Sequence, residues 1–387
     1  MAGVQGDPYS SFVEKLQLPH PLVQRFAVNA IFERLKSGPA HTKWESPVGQ
    51  EALARCLTSS NAAVIDQTVK EMCNACAEGL VSVERGLQDL QAALDAVNSE
   101  SVASVVNGIG FLCRIFLQKV QVGAKFMGKS GDLVGLGFHP FVKSFQSRPE
   151  DHQHILRQVG IFIGQASPNQ RTITLQFLQP FITFIFLQRL SSASHALFAR
   201  DLHSQLSLLS CQPHGQLLLK MLINYVEFYQ TETAEDCEFA LAAVKELVDV
   251  WQSRSTQRGV HQIQTKDLEE LGTQLLHTLV GLCHELLASK LSLYHALVLV
   301  KRMIISLRLL NPAASDSVGL DMVSLAHMLA MVDLEQEQLL LLDLGASWLE
   351  DIHDRGKSNP YLLWKCSCLT SLTSDSSYWI HDAILIP

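Results

Sequence analysis

HPLVQRFAVNAIFERLKSG, residues 20–38, decides the fold. Val23, Phe26, Ala27, Ala30, Ile31 and Leu35 recur at the three- and four-residue spacing that gathers side chains on one face of a helix. Gly38 and Pro39 then stop it. The same period returns in AEDCEFALAAVKELVDVWQ, through Ala240, Leu241, Val244, Leu247, Val248 and Trp251. It returns again in LGTQLLHTLVGLCHELL, through Leu271, Leu275, Leu279, Leu282 and Leu286. Strand-type alternation is nearly absent, so the chain reads as all-α.

The helices also read as paired and repeated. Pro21-Leu22-Val23-Gln24, followed by Ala27 and Ala30-Ile31, resembles the second helix of a HEAT repeat, with its Val-Arg-x-x-Ala-x-x-Ala-Leu pattern. A weaker relative follows at NAAVIDQTVKEMCNAC, where Val64 falls 41 residues after Val23. That offset lies within the ~40–47-residue period of HEAT and armadillo units. Small alanines let two helices of a hairpin approach, and neighbouring hairpins bury each other's open faces. The expectation is a HEAT/armadillo-like α-solenoid of paired antiparallel helices, with turns at Pro149, Pro168, Pro213 and Pro312, and its binding surface is expected on the array of second helices. Residues 1–121 read as helical-hairpin repeats and residues 139–365 as their continuation. Between them, residues 122–138 hold five of the 22 glycines and read as a glycine-rich loop. Residues 253–266 read as an exposed polar loop. Residues 366–387 follow no helical period and read as an irregular tail, a truncation point of a longer protein or an alternative terminus.

Composition narrows the function. Apolar residues make up 47% of the 387 and charged residues 18%, with a mean hydropathy of +0.14. Such a chain has ample apolar surface to offset its entropy, and expects deep burial or a partner. The net charge is −8 and no basic run reaches five residues, so direct nucleic-acid binding is not expected. Nine cysteines with no signal-peptide pattern suit a reducing cytosol. Ala2 stands where N-myristoylation needs glycine. The nearest approach to a membrane span, Leu175–Leu190, is interrupted by Gln176, Gln179, Pro180 and Gln188, and reads as a buried, kinked core helix.

Several stretches invite a chemical reading. GAKFMGKS, residues 123–130, matches the phosphate-binding P-loop at Gly123, Gly128, Lys129 and Ser130. That loop needs a strand before it and a helix after it. Here SVASVVNGIGFLCRIFLQKVQ precedes it with a helical pattern and GDLVGLG follows, so nucleotide binding is not expected. Cys73-x-x-Cys76 sits inside a helix without a second pair, since Cys56 and Cys113 are isolated, and reads as two small buried residues. Cys366 and Cys368 carry no more. His277 and His284 lie seven apart, two turns along one helix face, too far for one metal, and Glu285 points elsewhere. His152, His154 and His295 read as structural or surface histidines. Glu335, Glu337 and Asp343 beside a leucine run read as a solvated helix start. No catalytic residue, metal site or cofactor is expected, and an enzyme is not expected.

Three stretches together carry a family likeness. LPHPLVQRFAVNAIFERL, DQTVKEMCNACAEGLVSVERGLQDLQAAL and FHPFVKSFQSRPEDHQHILRQVGIFI, with its His139-Pro140 start and Arg148-Pro149 turn, resemble the N-terminal region of the focadhesin family, which includes the plant Resurrection 1 branch. The resemblance covers roughly residues 9–365. It implies a cytoplasmic helical-repeat scaffold several times this length, one that links the RNA exosome and the Ski complex in RNA decay. Plant members are also tied to cuticular wax formation and animal members to focal adhesions. A second reading is a membrane-peripheral, adhesion or trafficking adaptor, because KLSLYHALVLVKRMIISLRLL, with Lys290, Lys301, Arg302 and Arg308, would suit a bilayer surface if it were free.

Overall fold

Helix starts are fixed by side chains that answer orphan backbone N–H groups. Ser46 accepts from the Gly49 amide at 3.0 Å, Asn61 from Ala63 at 2.9 Å and Ser82 from Arg85 at 3.2 Å. Pro21, Pro47 and Pro140 each occupy a first turn, where a missing N–H costs nothing. A computed structural model describes residues 7–39, 43–123, 139–187, 193–210, 215–227, 233–256 and 263–310, with Tyr229 and Leu340. Among the described residues there are fourteen α-helices and no strand.

The chain divides into two compact units, Met1–Leu202 and His203–Pro387. The first holds α1 (Ser10–Leu16), α2 (Pro21–Ser37), α3 (Pro47–Leu57), α4 (Ala62–Ala77), α5 (Val83–Ala96), α6 (Ser99–Gly123), α7 (Pro140–Ser147), α8 (His152–Gln165) and α9 (Pro168–Leu187). Helix α10 (Ala193–Ser210) begins in the first unit and ends in the second. The second unit continues with α11 (Gln216–Glu227), α12 (Ala234–Thr256), α13 (Ile263–Ala288) and α14 (Tyr294–Leu310).

In the first unit each helix packs on the next and also on the next but one. Helices α2, α4, α6 and α8 form one layer, and α1, α3, α5, α7 and α9 form the other. That alternation is the two-layer arrangement of an α-solenoid of paired antiparallel helices. The second unit follows the same rule, with α11 on α13 and α12 on α14. Side-chain bonds across each layer set the register. Asn61 on the α4 cap donates to Gln24 of α2, 37 residues earlier, and Gln67 donates to Asn29 across 38 residues. Buried positions repeat at the interval of 37: Ala27, Val64 and Ser101; Val28, Ile65 and Val102; Ile31, Thr68 and Val105.

This register differs from the expected one. Val23 is half-buried and Phe26 is 60% exposed, while Gln24, Ala27, Val28, Ile31, Phe32 and Leu35 face the core. Buried Gln24 has the partners its position needs, donating to the Leu16 carbonyl at 3.1 Å and accepting from Asn61 at 3.0 Å. A polar residue can therefore occupy the inner face, and the apolar stripe turns by about one residue. On α12 the expected stripe is buried except for half-buried Leu241, and the five leucines expected on the α13 stripe are all buried.

Pro149 opens a short 3-10 turn and Pro168 the first turn of α9, whereas Pro213 and Pro312 lie outside the described residues. The expected loop at 253–266 is helical at both of its ends. Residues 253–256 finish α12 and 263–266 begin α13. Ser253, Ser255 and Thr256 turn their hydroxyls back onto carbonyls of the preceding turn, which lets a polar run stay helical. Gly79 closes α4 at φ +76°, with its N–H on Cys76 and that of Leu80 on Ala75, an ending that glycine adopts without steric cost. Helix α9 carries Pro180 inside it and buries Phe177, Leu178, Phe181, Ile182, Ile185 and Phe186. The described helix long and apolar enough to cross a membrane is α6, over Ser99–Gln118, rather than the Leu175–Leu190 stretch; 61% of that window is buried inside the protein.

Candidate functional site

The two faces of the first unit differ in how their polar side chains are used. On the even-numbered layer, amides and charges bridge one helix to the next but one. Gln67 donates to Asn29 across the layer and to Glu71 one turn along its own helix, Ser104 donates to Asp66, and Gln158 to Asn107 at 2.7 Å. Arg114 donates to Gln158 at 3.1 Å and lies over the rings of Phe111 and Phe162. Gly110 admits this bridge, because a Cβ there would sit 2.1 Å from Gln158 Oε1. This is the array of second helices, and its amides are largely engaged in holding the layer together.

On the odd-numbered layer, α5 and α7 enclose an open cleft of about 530 Å³. Gln88, Gln91 and Asp95 line it from α5, and Lys143, Gln146 and Ser147 from α7. The α5 residues fall three, four and seven positions apart, one helix face. Helix α7 has 8 residues against 14 in α5, so it ends early and leaves the cleft open. Its end is anchored by Arg148, which donates Nε–H to the Leu94 carbonyl at 3.1 Å and a terminal N–H to the Val97 carbonyl. These carbonyls close α5 and have no helical donor of their own, and the guanidinium sits at the negative end of the helix dipole. Its start is capped by His139, whose Nδ1 accepts from the Phe141 amide at 3.2 Å. The His139 ring is fully buried among Phe141, Phe177 and Phe181. Its Nε2, turned toward the Phe177 backbone, lacks a hydrogen bond of proper geometry. Burial pushes its pKa down to about 3, so the ring is neutral. His195 is also held below the usual range by burial and reaches the Ile185 carbonyl at 2.9 Å.

Of the residues that invited a chemical reading, Gly123 is the last residue of α6, so a 25-residue helix stands where a P-loop has its strand. Lys129 and Ser130 lie outside the described residues, as do the glycine-rich stretch from 124 onward, Glu335, Glu337, Asp343, Cys366, Cys368 and the whole tail after 365. Cys73 and Cys76 are buried where α4 meets α5 and α6, packed against Gly108 and Gly86. Burial raises the Cys73 thiol to about 12, and that of Cys56 likewise to about 12, while Cys113 is raised further. Such thiols are inert. His152 is buried, 3.1 Å from the Pro149 carbonyl and 3.5 Å from Asp201, and His154 is half-buried. His277 is exposed, His284 half-buried and His295 exposed against Tyr294. Among the described residues no group of three His, Cys, Asp or Glu side chains comes together in a way that could hold a metal ion. The α14 stretch is not free. Ala296, Leu297, Val300, Met303 and Leu307 are buried in the packing of α14 on α12 and α13, and Arg302 pairs with Asp249 at 2.8 Å.

The cleft is the feature that the sequence alone does not expose. Its only trace was the Arg148-Pro149 turn, because the bonds that Arg148 makes span 54 and 51 residues.

The described helices thus build layered helical arrays. No protein-family model matches the sequence, and no curated protein matches it. Among solved structures it is similar to a chain described as a homology model of the full-length AP-3 complex in an intermediate open conformation. The two are 10% identical with a TM-score of 0.24, over 97% of this chain and 73% of that one. A TM-score of that size lies below what a shared fold gives, and nothing of the AP-3 chain's role transfers with it.

Proposed function

We propose that this chain is a non-catalytic scaffold or adaptor that presents a fixed array of side chains to protein partners. Following its resemblance to the focadhesin family, those partners are subunits of the cytoplasmic RNA exosome and the Ski complex, and the chain acts beside them in RNA decay. The observation that supports the scaffold reading is the layer-spanning set of bonds from Gln24–Asn61 to Gln158–Asn107, which holds successive helices in one register. A surface held in this way needs little ordering when a partner binds. The test is affinity purification of tagged residues 1–387 from native cytosol, with mass spectrometry of the eluate. Exosome and Ski subunits support the reading, and a folded, soluble bait without them removes the exosome–Ski assignment.

A second reading, a membrane-peripheral adaptor, is favoured by Ile305 and Leu309, which are 48% and 72% exposed on α14 beside Lys301 and Arg302. Flotation on vesicles of anionic and zwitterionic lipid tests it, and a chain that stays at the bottom of the gradient sinks it.

A further inference from the structure

We infer that the cleft between α5 and α7 binds an extended peptide segment of a partner, gripped through its main chain; this deepens the scaffold reading and rests on it. A carboxamide carries one carbonyl acceptor and two N–H donors, so it can pair with both the N–H and the C=O of a peptide unit. The cleft presents three of them, Gln88, Gln91 and Gln146. Among the described residues the side chains of Gln88 and Gln146 have no hydrogen-bond partner, and neither have those of Asp95 and Ser147. Gln91 spends one hydrogen on the Pro140 carbonyl at 3.5 Å, which leaves its carbonyl and second hydrogen for a ligand. The opposite face differs. There Gln24, Gln67 and Gln158 spend their amides on neighbouring helices.

The walls are also held in place before anything binds. Arg148 ties the end of α7 to the last carbonyls of α5, and the buried Phe141 and Phe145 seat α7 in the core. Packed helices stand about 8–10 Å apart, the length of about three residues of extended chain. A strand crossing from α5 to α7 thus meets carboxamides on both sides. Other ligand classes fit poorly. Ala92 is the one hydrocarbon side chain in the lining, which disfavours an apolar ligand, and Asp95 opposes a phosphate or nucleic-acid backbone. Asp95 favours a peptide that carries a basic side chain.

The experiment selects a phage-displayed library of random dodecapeptides on the full chain, then measures enriched synthetic peptides by fluorescence polarisation. We expect binding to weaken at least about tenfold in Gln88→Ala/Gln146→Ala, a loss of the size that two hydrogen bonds give. Asn74→Ala on α4 leaves it unchanged, and methylating alternate peptide nitrogens abolishes it. Both variants replace exposed side chains, and a thermal melt matching wild type confirms that they fold. The inference is overturned if no peptide enriches, or if enriched peptides bind the double variant as tightly as wild type. Partners that co-purify equally with wild type and the double variant would leave the scaffold reading standing and remove the cleft from it.

Discussion

Removing Arg148 should loosen one place in the chain and nowhere else. Its side chain is 23% exposed and carries two hydrogen bonds to the carbonyls of Leu94 and Val97, with Glu150 3.7 Å away. A hydrogen bond with a charged partner contributes about 1.5–3 kcal/mol, and a cation at a helix C-terminus a further ~0.3–1 kcal/mol. Water can partly replace the guanidinium at this exposure, so Arg148→Ala should cost about 2–4 kcal/mol. Since ~1.4 kcal/mol is a factor of ten, amides that exchange through this local opening should speed up by roughly 30- to 1,000-fold. Hydrogen exchange by mass spectrometry on the full chain reads this peptide by peptide. Peptides covering α5 and α7 should accelerate while those of α12 to α14 stay as they are. Arg148→Lys should fall between, because one ammonium cannot fork to two carbonyls. Exchange in α5 and α7 within threefold of wild type, or acceleration of equal size in α12 to α14, would refute the clamp.

Four further outcomes follow from single residues. Gly108→Ala places a Cβ 2.5 Å from Val69 Cγ1 and should cost about 1–3 kcal/mol, read as a lower urea midpoint for the first unit; an unchanged midpoint removes the close α4–α6 approach. Trp251→Phe loses the 2.8 Å bond from Nε1 to the Leu268 carbonyl and leaves a void beside Gly272, so the second unit should lose roughly 1–3 kcal/mol in a thermal melt. For pH, the folded pKa of His139 lies below its unfolded value of 6.5, so its neutral-state stability is complete above pH 6.5 and is lost as pH falls toward 3. Over that window it falls by about 1.4 kcal/mol per pH unit, and His139→Asn, which can still cap α7, should unfold less steeply in acid; an equal slope counts against it. Finally, Cys56, Cys73, Cys76, Cys113, Cys237 and Cys283 are buried and should resist iodoacetamide at pH 8 until urea is added, with labelling mapped by mass spectrometry.

The layer architecture was legible because helix period survives in local sequence. The α13 leucines and the small Cys73 and Cys76 fell where spacing and size placed them. The register was not legible, and Gln24 shows why. Read as a polar residue, it pushes the inner face of α2 toward Val23 and Phe26, and its two hydrogen bonds are invisible until Leu16 and Asn61 are brought to it. The burial of His139 and His195 was out of reach for the same reason, since the phenylalanines that bury them come from α7 and α9. The cleft lay further out of reach. It depends on α7 being short and on a pairing of Arg148 with residues 51 and 54 positions away.

The repeat is better defined by its bonds than by its length. In the first unit the hydrogen bonds between next-but-one even-numbered helices span 35 to 38 residues as far as α6, then 44 where Arg114 meets Gln158 on α8 and 51 where Asn107 does. The glycine-rich stretch falls inside that longer interval. In the second unit the joints span 43 to 54 residues: His203 with Glu246, Gln274 on Glu227 and Asn224, Arg302 on Asp249, Gln252 on Ser306. Helices α12 and α13, at 23 and 26 residues, take up the difference. Each turn of the array must bury a pair of apolar positions per helical turn and bridge the next-but-one helix with a polar side chain, and neither demand fixes the spacing in residues. Leu218 and Leu271, or Val244 and Leu297, match at 53 with no likeness in the residues around them. A chain built under those two constraints keeps its architecture while its period drifts, which is why a single 41-residue offset read from Val23 and Val64 identified the kind of fold and missed its register.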